Sequence, residues 1–225
     1  MSAKILTKNQ LARMPAYLLT IKKLKGKGLG FVNAQIIADD LNLNVEQVKK
    51  DLASVASTSG VPNKGREINS LIRDVESVLG YDDIHNAIIV GVGHLGSALL
   101  NYDGFEEYGL KIVGAFDTDS KKIGTKINGI RIYDVKTLKN VFKDYNAKIG
   151  IITVNRTSAQ EVANIFVECG VLAIWNFAPI NLVISDPKVI LSNMNMATSL
   201  AVLSHQLYLK KEKNDKNRKS FESNE

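Results

Sequence analysis

Asn86-Ala-Ile-Ile-Val90-Gly91-Val92-Gly93-His94-Leu95-Gly96-Ser97-Ala-Leu-Leu100 is the stretch that decides how this chain is read. Asn86 to Val90 is an apolar run of strand length, and Ser97 to Leu100 opens a helix. Between them stands G-x-G-x-x-G, in the strand-before, helix-after setting that gives the motif weight. Gly91 allows a tight turn, Gly93 lets backbone approach a pyrophosphate, and Gly96 permits close packing of helix on strand. Val92, His94 and Leu95 fill the rest of the loop. The helix N-terminus then offers unpaired N–H groups and the positive end of its dipole to phosphate. For His94, inside the loop, a phosphate contact or plain solvation is a better account than acid–base work.

Lys111 to Phe116 reads as the next strand, and Asp117 ends it, 21 residues after Gly96. A carboxylate there can accept from both ribose hydroxyls and would repel the extra phosphate of NADP, so NAD(H) is the expected ligand. Lys121 and Lys122 follow closely and soften that discrimination; Lys122 is counted among the candidate cofactor residues. A glycine turn beside a surface Asp is the competing reading. The order strand, motif, helix, strand, Asp weighs against it.

The alternation continues through a strand at 130–133, a helix at 135–145, a strand at 148–154, a helix at 158–169 ended by Gly170, and a strand at 171–176. Strands alternating with helices predict an α/β fold with a doubly wound parallel sheet. Ligands on such sheets lie beyond the carboxyl ends of the strands. Thr153, Val154 and Asn155 are therefore candidate lining, as are Asn176, Phe177, Ala178 and Pro179. A dehydrogenase needs a His, Lys or Tyr beside the nicotinamide, and these strand-end segments hold none. There is also no room for a substrate domain. The expectation is a nucleotide that is sensed and not consumed, with no catalytic residue. The runner-up is an NAD-dependent oxidoreductase with an accessory helical domain.

Upstream, Leu11, Met14, Leu18 and Ile21 recur at helical spacing, with Pro15 either near a helix start or at a kink. Asn33 caps a predicted helix 34–41, and Asn44 caps a third, 45–56, with Gln47 at its third position. Two short helices and a tight turn make a helix-turn-helix pattern. Val45, Val48, Leu52 and Val55 would face the core. That leaves Gln47, Lys49, Lys50 and Ser54 for a major groove, or for water if the domain is only a packed bundle. Residues 58–67 carry Lys64 and Arg66 in either a basic wing or an ordinary loop. A further helical run, 68–79, ends at Gly80. Downstream, Met196, Leu200, Leu203 and Leu207 form an amphipathic helix over 194–211, packed on its own sheet or covered by another subunit.

The 225 residues carry a net charge of +6, and 45% of them are apolar, enough for a real core. The charge is uneven: residues 1–80 hold a net +5, 81–212 are neutral, and 213–225 hold +1. That asymmetry predicts two modules with different partners. The expected divisions are 1–80 for a basic helical domain and 81–190 for a Rossmann domain. An amphipathic helix over 191–212 and a disordered charged tail over 213–225 complete the list. Cys169 is the single cysteine and the three histidines are scattered, so no disulfide or metal site is expected. No apolar run reaches membrane-spanning length and no leader is evident, so a soluble cytoplasmic protein without membrane partners is expected.

From about residue 8 to 210 the chain resembles the Rex family of bacterial redox-sensing transcriptional repressors. The resemblance rests on Arg13-Met-Pro-Ala-Tyr17, Gln47-Val-Lys-Lys-Asp-Leu52, Gly91 to Leu99, Tyr102-Asp-Gly-Phe105, Ala115-Phe-Asp117, Ala159-Gln-Glu-Val-Ala163 and Asn176-Phe-Ala-Pro179, in that order. It implies a winged-helix DNA-binding domain over 1–80 and a homodimer whose dimerisation helix, 191–212, is swapped between subunits, bound to double-stranded operator DNA. NADH would close the dimer and release the DNA, while NAD+ competes and favours the DNA-binding form. The family's switch residues fall on Arg13, Tyr102 and Asn195. The chain departs from the family's usual pattern in its wing (residues 53–65), at Val154-Asn155-Arg156 where Val-Pro-Ala is usual, and at Asn195 where the family has Asp. These departures look like those of a divergent paralogue, one whose redox response is altered or lost.

Overall fold

His85–Val90 forms strand β3, whose last four residues are fully buried. It stands near the middle of a seven-stranded sheet in the computed structural model, which describes residues 6–194 and 196–222. The chain divides into two units, residues 1–84 with 104–110, and residues 85–103 with 111–225.

In the first unit, α1 (Lys8–Gly26), α2 (Ala34–Leu41), α3 (Val45–Val55) and α4 (Ile68–Leu79) surround one apolar core. Thr7 caps α1 in a reciprocal capping box with Gln10. Asn33 accepts from the Ile36 N–H, and Asn44 from those of Glu46 and Gln47. The Asn33 and Asn44 caps thus fall where the sequence puts them, because each satisfies N–H groups that the first helical turn leaves unpaired. Pro15 lies inside α1 on its exposed side, where the hydrogen bond it cannot donate leaves no polar group stranded in the core. β1 (Phe31–Val32) pairs antiparallel with β2 (Arg66–Glu67), and a Val61–Gly65 bridge closes a short hairpin before it. The unit does not end at Gly80. Residues 104–110 return to it, with the Tyr108 ring edge-on to Tyr81 at 5.6 Å. That contact joins residues 27 apart, which no local pattern encodes.

In the second unit the sheet order is β5 (Lys126–Ile127), β6 (Ile130–Asp134), β4 (Leu110–Asp117), β3, β7 (Ile149–Ile152), β8 (Ala173–Asn176), β9 (Ile190–Asn193). β7, β8 and β9 run parallel in series from β3, β6 runs parallel to β4, and β5 is antiparallel to β6. α5 (His94–Leu100) follows the glycine loop, and α7 (Ala159–Cys169) packs Val162, Ala163 and Phe166 into the core. The predicted helix 135–145 is broken: α6 is only Leu138–Val141, with 3₁₀ turns at Val135–Thr137 and Phe142–Tyr145. Leu138 and Phe142 are its buried anchors, and tighter turns bring both onto the core.

β9 was not foreseen, since a four-residue edge strand with one exposed and one half-buried apolar residue carries little pattern. The last helix, α8 (Met196–Glu222), runs past the expected bound of 212. No Gly or Pro interrupts the stretch, and Tyr208 donates to Glu212 one turn on. Leu200, Leu203 and Leu207 on α8 are each more than half exposed.

Candidate functional site

The glycine loop is built by close approach. Gly91 has φ +98°, and a Cβ there would come within 2.8 Å of backbone at Thr153 and Val154. A Cβ on Gly96 would stand 2.0 Å from the Gly91 carbonyl oxygen. Both positions therefore require glycine for the fold itself. Gly93 is different: its φ is negative and a Cβ would meet nothing within 4 Å. Space has been left on the solvent side of the loop, where a bound pyrophosphate would need it. Thr153 fixes the loop from β7 by donating to the Gly91 carbonyl at 2.6 Å.

Asp117 ends β4 with its side chain about nine-tenths buried. Its carboxylate accepts from the Val92 N–H at 2.6 Å and the Asp119 N–H at 2.9 Å, with the Lys122 ammonium 3.5 Å away. Burial opposes ionisation, yet these donors and the ammonium outweigh it and hold the carboxyl below its ordinary range. The residue is thus an anion at neutral pH, with lone pairs left to accept from a diol. Gly91, Gly93, Asp117, Lys122, Thr153, Val154 and Asn155 line a single cleft of about 470 Å³. His94 and Leu95 are exposed at the start of α5, and Val92 is buried.

The remaining candidates lie elsewhere. Phe177, Ala178 and Pro179 line a second cleft of about 600 Å³, with Arg156, Asn193 and Met194. Asn176, expected as ligand lining, is fully buried and spent on the protein. Its amide donates to the Ile180 carbonyl and to Asn193 Oδ1, both at 2.8 Å, and its oxygen accepts from the Ala178 N–H at 2.9 Å. It latches the Phe177–Pro179 loop and the end of β9, and has nothing left for a ligand. Arg156 was noticed in the sequence only as a departure from a family pattern; its place in this second cleft needed the fold.

In the first unit, Lys49, Lys50 and Lys64 are exposed, the first paired to Glu46 at 2.7 Å. Lys64 reaches over the Phe31 ring at 5.9 Å. One residue expected in the groove and one expected on the wing bond to the protein's own backbone. Ser54 donates to the Asp51 carbonyl at 2.6 Å and accepts from Gln10, while Arg66 donates to the Thr58 carbonyl across the hairpin. Gln47 is half-buried, and its amide oxygen accepts from the Arg13 guanidinium. Arg13 itself forms a bidentate pair with Asp51, at 2.7 and 3.1 Å, and Asp51 also accepts from the Tyr17 hydroxyl at 2.9 Å. Tyr102, half exposed, follows α5, and Asn195 lies outside the described residues.

A family model described as a CoA binding domain matches residues 82–180. The redox-sensing transcriptional repressor Rex of Treponema denticola is 38% identical over 199 residues, spanning 88% of this chain and 94% of that one. Its namesake in Bacteroides thetaiotaomicron is 37% identical over 88% of this chain and 89% of its own. The chain belongs to the Rex family. Among solved structures, one described as RSP in complex with β-NAD+ and operator DNA matches with a TM-score of 0.84 at 28% identity, covering 94% of this chain and 96% of that one. RSP in complex with β-NADH matches with a TM-score of 0.82, also at 28% identity, covering 94% and 98%. With Rex as the frame, the glycine cradle and the ionised Asp117 fit a dinucleotide: backbone N–H groups for the pyrophosphate, a carboxylate for the ribose. Asp117→Ala is accordingly expected to weaken NADH binding by about 10- to 100-fold, the loss of charge-assisted hydrogen bonds of about 1.5–3 kcal/mol. Titration of NADH fluorescence measures it, and an unchanged affinity would remove Asp117 from the site.

Proposed function

We propose that this protein is a DNA-binding transcriptional repressor of the Rex type, a regulator and not an enzyme, that releases its operator when NADH binds. The observation that carries the reading is the pair formed by Gly93, facing open space, and Asp117, held ionised beside the same loop. The residues offered to NAD(H) are Gly91–Gly96, Asp117, Lys122 and Thr153–Asn155, with Phe177–Pro179 across the sheet. The α2–α3 pair carries the DNA contact, through Lys49 and Lys50 on α3 and Lys64 on the hairpin. A second copy of the chain covers the exposed leucines of α8, as burial of such an apolar stripe requires. NADH acts as a switch only if it binds the DNA-released state better than the DNA-bound one, since equal affinity shifts nothing.

A mobility shift on promoter DNA, with NADH and NAD+ titrated separately, tests the proposal. Release by NADH at concentrations where NAD+ leaves the complex intact is the expected result. Binding indifferent to both would leave a repressor without a redox response, and absence of specific binding would overturn the proposal. Lys49→Ala and Lys50→Ala should each weaken binding across sequences and reduce the slope of log affinity against log salt by about one. An unchanged slope would mean that the lysine meets no phosphate.

A further inference from the structure

Strand order fixes how a dinucleotide must lie on the sheet. Asp117 ends β4 on one side of β3, and the glycine loop follows β3 itself. On the other side come β7, β8 and β9. A ligand with one ribose at Asp117 and its pyrophosphate at the loop therefore carries its other half toward the ends of β7 and β8. The cleft there is lined by Arg156, Phe177, Ala178, Pro179, Asn193 and Met194, among others, and holds no carboxylate among its described lining. The nearby acids Asp117 and Glu161 line the other cleft. Arg156 is exposed, follows β7 by four residues, and takes no ion pair among the described residues.

We infer that Arg156 adds to the preference of this site for NADH over NAD+. The inference rests on the NAD(H) reading above. Oxidised nicotinamide is a pyridinium cation, whereas the reduced ring is neutral; the rest of the two ligands is the same. An unpaired guanidinium at the rim of the nicotinamide cleft therefore repels one form and is indifferent to the ring of the other. A neutral residue at position 156 would lack this repulsion. The effect is electrostatic and partly screened by water, so it amounts to about three- to ten-fold in the ratio of the two affinities.

The test uses the full-length protein, with NADH followed by its own fluorescence and NAD+ by competition against it. Arg156→Ala is expected to tighten NAD+ by about three- to ten-fold while NADH changes by less than about two-fold. Arg156→Glu should move the ratio further in the same direction, and Arg156→Lys should preserve it. The differences should shrink at high salt. Because residue 156 is exposed, these variants keep the fold, and a thermal melt verifies that. An affinity ratio unchanged across all three variants, with both ligands still bound, would overturn the inference alone. A wild-type protein that binds neither ligand would overturn the NAD(H) reading, and the inference with it.

Discussion

Gly93→Ala should leave the thermal midpoint of the protein unchanged and lower its NADH affinity by about 100-fold, a loss of about 2.8 kcal/mol. The reason lies in what surrounds each glycine. At Gly93 a methyl group would meet no protein atom within 4 Å, and the backbone has an ordinary φ. Nothing in the fold asks for glycine there. The methyl would instead occupy the space through which a pyrophosphate reaches the loop N–H groups. Gly96→Ala is the control with the opposite signature. Its methyl would overlap the Gly91 carbonyl oxygen, so the loop must shift, at a cost of about 1–3 kcal/mol in stability as well as lost binding. Circular-dichroism melts and NADH fluorescence titrations on both variants separate the two effects. Full NADH affinity in Gly93→Ala would show that the loop does not carry the pyrophosphate.

The second large effect is expected at Asp51. Its carboxylate is almost completely buried on α3 and accepts from both the Arg13 guanidinium and the Tyr17 hydroxyl of α1. Asp51→Ala would strand a buried hydroxyl and leave a cation with only part of its coordination. Breaking such a pair by removing one partner should destabilise the first unit by about 2–4 kcal/mol, or roughly 10 °C in its melting temperature. DNA binding should fall with it, because α3 is held to α1 by this contact. Arg13→Met together with Asp51→Leu should cost less than the sum of the single changes, since the pair is then removed as a unit.

The same cluster predicts a pH dependence of known sign. Burial raises the Asp51 pKa, but the hydrogen bonds from Arg13 and Tyr17 outweigh it, leaving the folded value below the ordinary one. A depressed carboxyl contributes stability that is present in full above the unfolded-state value of about 3.9 and is lost as pH falls through the folded one. On the alkaline side, burial and then the Asp51 carboxylate push the Tyr17 hydroxyl up to about 12, so it remains a donor throughout the working range. Acid unfolding of the first unit should therefore lose part of its steepness in Asp51→Asn. Melting temperatures between pH 7 and pH 3 measure this, and parallel curves for the two proteins would show that the carboxylate contributes nothing.

Much of the candidate site is legible without coordinates because its requirements are local. A tight turn, a backbone approach and a helix start each demand glycine within a few residues, so Gly91, Gly93 and Gly96 declare themselves by spacing. Asp117 follows from the length of one helix and one strand. Helix caps are equally local, and Thr7, Asn33, Asn44 and Gly80 mark helix ends in the structure. Asn176 shows where this logic stops. Its position at a strand end matches that of a ligand residue, but its partners Ile180 and Asn193 are set by how β8 and β9 lie together. Ser54 and Arg66 show the same limit: helical phase and hairpin position say which way a side chain leaves the backbone, not which neighbour it bonds.

The sequence alone therefore determined the alternation of the main strands and helices, the glycine loop with Asp117 ending the next strand, and the division into a basic helical part and a neutral α/β part. Each is written in spacing, glycine placement or charge over short spans of chain. The tertiary structure alone decided that Asp51 is a buried anchor, that Asn176 is a latch, that residues 104–110 return to the first unit, and that Arg156 stands at a cleft with no carboxylate among its described lining. Each depends on a partner brought from far along the chain by packing, and a partner of that kind leaves no periodic trace in the sequence.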